Sequence, residues 1–203
     1  MSQARGTPGT VRIRGTRAVP NHHPMIDRCS LCPNYRPRVL PTGPIPARIL
    51  FLGEQPAEVE DKYGEPFVGK TGSELIHTYF PIAGLHRDYV YIDNARRCSE
   101  PDYENPTNEQ AQSCCNLFLG RTLNQVRPQI VVPMGAVACS VFVEVKNLAL
   151  QHGIPIPAHY SGWSGVLFPT FHPSSGLHQT AFMIALMKDF DRLGKLIREL
   201  DQL

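Results

Sequence analysis

The sequence predicts an α/β protein, a three-layer α/β/α sandwich around a central, mainly parallel, four-stranded sheet. Three observations carry this expectation. From residue 47 onward, short apolar strand-like runs alternate four times with helix-like segments. Residues able to do chemistry follow the carboxyl end of each run, where open parallel sheets place their ligands. The length of 203 residues suits one domain, and 42% hydrophobic with 19% charged residues excludes a fully disordered chain.

Residues 1–28 stand apart. Arg5, Arg12, Arg14 and Arg17 meet no acidic residue before Asp27, and no helical period appears. This stretch reads as a flexible basic N-terminal arm, either an inert terminus or a phosphate-binding tail. Residues 29–203 read as a single α/β domain. ARILFLG (47–53) is a short apolar run ending in Gly, hence a buried strand. TGSELIHTYFPIAG (71–84) follows as a helix closed by Pro81 and Gly84. YVYIDN (89–94), rich in β-branched and aromatic residues, is the second strand. Thr107 and Gln110 form a capping-box pattern, and the helix they open turns Ala111, Cys115, Phe118 and Leu119 to one side. QIVVPMG (129–135) is the third strand and VLFPTFHP (166–173) the fourth. Segment 144–162 reads as an irregular connection, a candidate pocket lining. Phe182, Leu186, Phe190, Leu193, Ile197 and Leu200 recur at spacings of three and four, an amphipathic terminal helix.

Composition narrows the function. A formal charge of +2 excludes a histone-like basic binder but not a local basic patch. The longest apolar stretch, 129–145, is broken by Pro133, Gly135, Ser140 and Glu144, whereas a membrane span needs ~20 apolar residues. The N-terminus has no apolar signal core. A cytoplasmic monomer without membrane contact is expected.

Two motifs need weighing. Gly64 to Thr71 matches the P-loop pattern G-x-x-x-x-G-K-[ST] letter for letter. Its context is wrong. The strand ends near Gly53, the charged EVEDKY intervenes, and Pro66 lacks a backbone donor where phosphate would need one. The cysteines are more informative. Cys29 and Cys32 form a C-x2-C pair, and Cys98 and Cys114 lie beyond the second strand and in the following helix. Scattered buried cysteines explain Cys139 well and the tight pair poorly. Four thiolates suit tetrahedral zinc or an iron–sulfur cluster, and spacing leaves both open.

With these residues assembled, the chain from Cys29 to about Leu177 resembles the uracil-DNA glycosylase superfamily, in particular its family-4 branch that carries a 4Fe-4S cluster. ARILFLGEQPAEVEDKYGEPFVGKTG is similar to that family's first motif, YIDNARRC to its strand ending in Asn before the third cluster cysteine, PTNEQAQSC to its run into the fourth, and FHPSS to its second catalytic motif. The resemblance implies a DNA glycosylase that flips a uracil or related pyrimidine out of DNA and hydrolyses its N-glycosidic bond. It implies Cys29, Cys32, Cys98 and Cys114 as ligands of a structural cluster, and selects Cys114 over Cys115. Glu54 would position the attacking water, and His172 would face the base oxygen that gains charge. Phe67 would stack on the flipped base, and Asn94 would bond its pairing edge. Gln55, Pro56 and Ala57 would complete the base pocket. Ser174, Ser175, Leu177 and His178 would enter the DNA groove, with Leu177 as wedge.

These roles make chemical sense. Flipping a base costs a few kcal/mol, and stacking on an aromatic ring returns roughly 1–3 kcal/mol. A carboxylate stabilises the cationic sugar, and a donor on the base stabilises the departing anion. The chain also departs from the pattern. Ala57 replaces the motif's last Gly, Gln55 cannot act as a base, and Gly176-Leu177-His178 replaces Leu-Leu-Arg. SEPDYEN (99–105) has no inserted loop and no His, so the covalent trapping of one superfamily branch is not expected. No Lys stands where a motif would make it a Schiff-base nucleophile. Two other readings stay open here. One is a glycosylase for a bulky modified cytosine of phage DNA, with a defence role. The other is a non-catalytic DNA-binding module. Finally, Arg36 and Arg38 follow the C-x2-C pair, and Arg96 and Arg97 precede Cys98. If the cysteines converge, these four arginines are expected to form a basic DNA-contact patch.

Overall fold

The computed structural model describes residues 38–100, 102–143 and 147–202. The expected arm 1–28, together with Cys29, Cys32 and Arg36, lies outside the described residues.

Five strands form one sheet: β1 (Ile49–Gly53), β2 (Tyr91–Asn94), β3 (Ile130–Pro133), β4 (Ile156–Tyr160) and β5 (Trp163–Leu167). Their order is β2-β1-β3-β5-β4. Neighbours are parallel except β4, which runs antiparallel to β5. Every residue of β1, β2 and β3 is buried, as expected where helices cover both faces of a parallel sheet. The parallel α/β class is therefore as expected, with one strand more than the sequence indicated.

The extra strand is β4, inside the segment expected to be irregular. Its prolines conceal it, yet Pro is tolerated on an edge strand, and its residues alternate half-buried and exposed. Ser161 and Gly162, at φ 44° and 84°, make the tight turn that returns the chain into β5. The expected fourth strand thus begins earlier, at Trp163, and stops at Leu167. Pro169 has no N–H to continue a ladder, although an isolated bridge joins Met134 to Thr170 farther on.

The helices are α1 (Glu58–Tyr63), α2 (Lys70–Glu74), α3 (Phe80–Ala83), α4 (Asn108–Val126), α5 (Ala136–Ser140), α6 (Leu148–Gln151), α7 (Pro173–His178) and α8 (Thr180–Leu200). A π-helical turn, Leu75–Tyr79, joins α2 to α3. Pro81 therefore does not end this helix. The wider turn places the Phe80 N–H on the Leu75 carbonyl, Pro81 needs no acceptor, and the helix runs on to a left-handed cap at Gly84. Thr107 and Gln110 make both bonds of the expected capping box on α4, at 3.2 and 2.8 Å.

Two apolar layers sandwich the sheet. On one face Phe51, Ile92 and Val132 pack with α3 and α8, where the Phe51 and Phe80 rings lie 4.8 Å apart. On the other face Leu50, Leu52 and Val131 meet Ala111, Leu119 and Leu123 of α4 and Ala138 of α5. The alternation of inward residues along β1 supplies both cores.

Candidate active site

The register of the sheet builds the site. Gly53 is level with Asn94, and Leu52 with Pro133, so three strands end side by side. Hydrogen bonds continue past the strands, from Ala95 N–H to the Gly53 carbonyl and from Arg96 N–H to that of Glu54. The Met134–Thr170 bridge brings the chain that leads to His172 alongside. Glu54, Asn94 and His172 come from three separate segments and meet at one end of the sheet.

Gly135 separates the two proposed catalytic side chains. It adopts φ +91°, and a Cβ there would collide with the Glu54 carboxylate and sit 3.2 Å from the His172 Cβ. Glu54 Oε1 accepts the Val137 N–H at 3.2 Å. Burial raises the Glu54 pKa above its ordinary 4.5, and the Val137 N–H opposes that rise. His172 caps the N-terminus of α7. Its Nδ1 accepts from the Ser174 backbone N–H at 3.4 Å and lies 2.7 Å from the Ser174 hydroxyl. A backbone N–H can only donate, so the ring proton sits on Nε2. Burial lowers the His172 pKa to about 4, which leaves the ring neutral at pH 7.

Phe67, at a left-handed φ of 58°, places its ring 6.0 Å from that of His172. The absence of a side chain at Gly53 makes room for this wall. A Cβ there would collide with Asn94 Oδ1 and lie 2.7 Å from the Phe67 ring. Asn94 is buried, and its Oδ1 has no partner among the described residues. Gln55, Ala57, Phe67, Lys70, Asn94 and His172 line a cleft of about 270 Å³. Pro56 is buried and does not line it. The Ala57 backbone, at φ −99°, suits any residue, so Ala is unstrained where the motif has Gly. Gln55 Nε2 donates to the Glu104 carbonyl at 2.6 Å.

Several supporting residues were not expected from the sequence. Glu60 is buried and accepts from Gly69 N–H at 2.8 Å and from Ala57 N–H at 3.2 Å, tying together the two loops at the mouth of the cleft. The Asn94 N–H donates to Asp93 Oδ1 at 2.8 Å. Arg97 grips the same carboxylate with Nε at 3.0 Å and Nη2 at 2.7 Å. A charged residue at the third helical position after Ala57, and an Asp–Arg pair at i, i+4, were the signals available. Both also fit solvated surface.

That ion pair corrects the expected basic patch. Arg96 is 1% and Arg97 3% exposed. Arg97 is neutralised by Asp93, donates to Thr122 Oγ1 at 3.0 Å, and lies 3.7 Å over the Phe118 ring. Arg96 pairs with Glu100. Neither can reach a phosphate. Arg38 is half-buried. Segment 144–162 does not line the cleft among the described residues. Ser174, Ser175 and Leu177 are half-buried and His178 exposed, all on the short helix α7.

Cys98 follows β2 and Cys114 lies in α4; both are buried. Cys115 is turned into the apolar core, its thiol toward the Ala95 carbonyl at 3.3 Å. Soft thiolates fit iron or zinc, and no group of three or more metal-ligating side chains occurs among the described residues.

The family model described as the uracil DNA glycosylase superfamily matches residues 40–199. The chain belongs to this superfamily. It is 37% identical over 152 residues to the type-4 uracil-DNA glycosylase of Thermotoga maritima, covering 73% of this chain and 78% of that protein. Its similarity extends to the type-4 enzymes of Saccharolobus solfataricus, at 28% over 83% of this chain and 81% of that protein, and of Sulfurisphaera tokodaii, at 32% over 83% and 79%. The matched span of the superfamily runs from before β1 into α8, so it includes Glu54, Phe67, Asn94 and His172.

Proposed function

We propose that this superfamily member is a uracil-DNA glycosylase of the type-4 kind, a hydrolase that removes uracil from DNA and leaves an abasic site. The observation that carries it is the cleft that Phe67, Asn94 and His172 line together, with the Glu54 carboxylate and His172 both packed against Gly135. At about 270 Å³ the cleft is just below the usual range of ligand pockets, ~300–1,000 Å³, which suits a single base.

The uracil swings out of the stack and lies against Phe67. Asn94 Oδ1 accepts the uracil N3–H and its amide donates to O4. The bond between C1′ and N1 breaks, and its electron pair leaves with the base. The neutral His172 donates from Nε2–H to O2, where that charge collects. Glu54, ionised, stabilises the cationic sugar and aligns a water. The water oxygen bonds to C1′ and its proton passes to Glu54. Donors and bases of this type each contribute roughly 10²–10⁴ in rate. Helix α7, with Ser174, Ser175, Leu177 and His178, meets the groove, and Leu177 fills the gap left in the stack. Cys98 and Cys114, together with Cys29 and Cys32, would hold a 4Fe-4S cluster. Such a group supplies a cross-link between chain segments rather than a reaction step.

The test is a panel of oligonucleotides carrying uracil, a thymine mismatch, hydroxymethylcytosine or glucosylated cytosine, scored for abasic sites. Uracil should be removed. His172→Ala and Glu54→Gln should each slow removal by roughly 10²–10⁴ while DNA binding persists. Uracil left intact by folded protein would overturn the reading.

A further inference from the structure

The terminal helix α8 carries one acidic residue in its buried apolar stripe. Asp189 is 0% exposed, between Leu186 and Phe190, and the mechanism above makes no use of it. Its carboxylate gathers three segments. The Thr170 hydroxyl donates to Oδ2 at 2.8 Å. The His152 Nδ1 lies 2.9 and 3.0 Å from the two oxygens. Arg192 Nη1 stands 3.9 Å away. Burying a carboxylate is costly unless it is bonded, so the group is held in place by these partners.

What Asp189 holds is the junction behind both catalytic residues. Thr170 lies two positions before His172. Its N–H donates to the Pro133 carbonyl at 3.1 Å, and its carbonyl accepts the Gly135 N–H at 2.9 Å. Gly135 is the spacer between Glu54 and His172. His152 adds a second grip, its ring 4.4 Å from that of Phe171, and the Gly153 N–H donates to the Pro169 carbonyl at 2.8 Å. Three consecutive residues, 169–171, directly before His172, are thus fastened from behind by α8 and by the chain after α6.

We infer that Asp189, acting through Thr170 and seconded by His152, is a positioning residue that sets the direction of the His172 donor. None of the three touches the cleft. The inference rests on the glycosylase reading above for its kinetic test. Misplacing a catalytic group by as little as 1 Å can cost about 10²-fold, and the loss should appear where His172 is needed most. Uracil as leaving group needs that donor more than 5-fluorouracil, whose anion is better stabilised.

Single-turnover cleavage of both bases by Thr170→Val should therefore be slowed roughly tenfold or more for uracil and clearly less for 5-fluorouracil. Thr170→Ser, which keeps the hydroxyl, should restore both rates. His152→Ala changes a half-buried ring and carries the same test, at smaller amplitude, if Thr170→Val does not fold. A second readout is independent of turnover. The ¹⁵N resonances of the His172 ring should report one Nε2–H tautomer in the native protein, an altered ring environment in Thr170→Val, and recovery in Thr170→Ser. Equal losses on the two bases, no loss on either, or unchanged His172 resonances would overturn the inference. If the native protein cleaves neither base, the glycosylase reading fails, and the resonances alone decide the positioning role.

Discussion

Glu54 and His172 share one burial environment, and it pushes their pKa values in opposite directions, up for the carboxylate and down for the imidazole. The working forms are ionised Glu54 and neutral His172. Cleavage should be full where Glu54 is ionised and fall as pH drops through its raised pKa, above 4.5. His172, near 4, should add no inflection at the ordinary histidine value of 6.5. Single-turnover rates between pH 4 and 9 check this. The acid limb should disappear from the residual activity of Glu54→Gln, and a limb centred near 6.5 that vanishes in His172→Ala would contradict the neutral-donor assignment. Glu54 stands out in the sequence because it directly follows a strand run, and His172 because it lies at the end of one. Glu60, Asp93 and Asp189 did not stand out. A carboxylate in EVEDKY, beside an Asn, or one step off a helix stripe is written like any solvated charge, and only the tertiary contacts reveal it as buried. The same ambiguity holds for Arg96 and Arg97, which look like surface cations in the sequence and are buried in the fold.

At the scale of elements, β1, β2, β3, α4 and α8 were legible because their apolar periods are strong and their punctuation clean. β4 was not, since Pro155 and Pro157 look like breakers until the strand is known to sit at an edge. The motif that resembles a P-loop gains a different meaning. Its Gly69, Lys70 and Thr71 line the cleft at the start of α2. With Arg96 and Arg97 buried, Lys70 becomes the exposed cation nearest the proposed base site among the cleft-lining residues. It should meet a DNA phosphate beside the flipped nucleotide. Lys70→Ala should weaken binding similarly for different sequences and reduce the slope of log K against log salt by about one unit. An unchanged slope would remove Lys70 from the interface.

The whole molecule has two apolar cores with the sheet between them, and α4, which carries Cys114, closes one of them. Loss of a cluster at this helix should be felt by the fold. Protein prepared without oxygen should be brown, with iron and sulfide each about four per chain. Cys98→Ala should lose colour and melt at lower temperature. A colourless, equally stable protein holding one zinc would replace iron with zinc at this position.

Both rims of the sheet are partly blunted. At β2 the chain around Thr42 exchanges backbone hydrogen bonds with Ile92, at 3.0 and 2.8 Å. At β4 the outward position is Pro157: its partner Val166 sends its own N–H to the β3 side, to the Gln129 carbonyl, so the strand's missing donor faces the solvent. An unpaired edge is the usual template on which one copy of a chain recruits the next into a growing fibril. Here each rim offers only a shortened template, interrupted at Ile92 on one side and at Pro157 on the other. Crowding many copies together, as on a shared stretch of nucleic acid, leaves them little continuous backbone surface to fuse along.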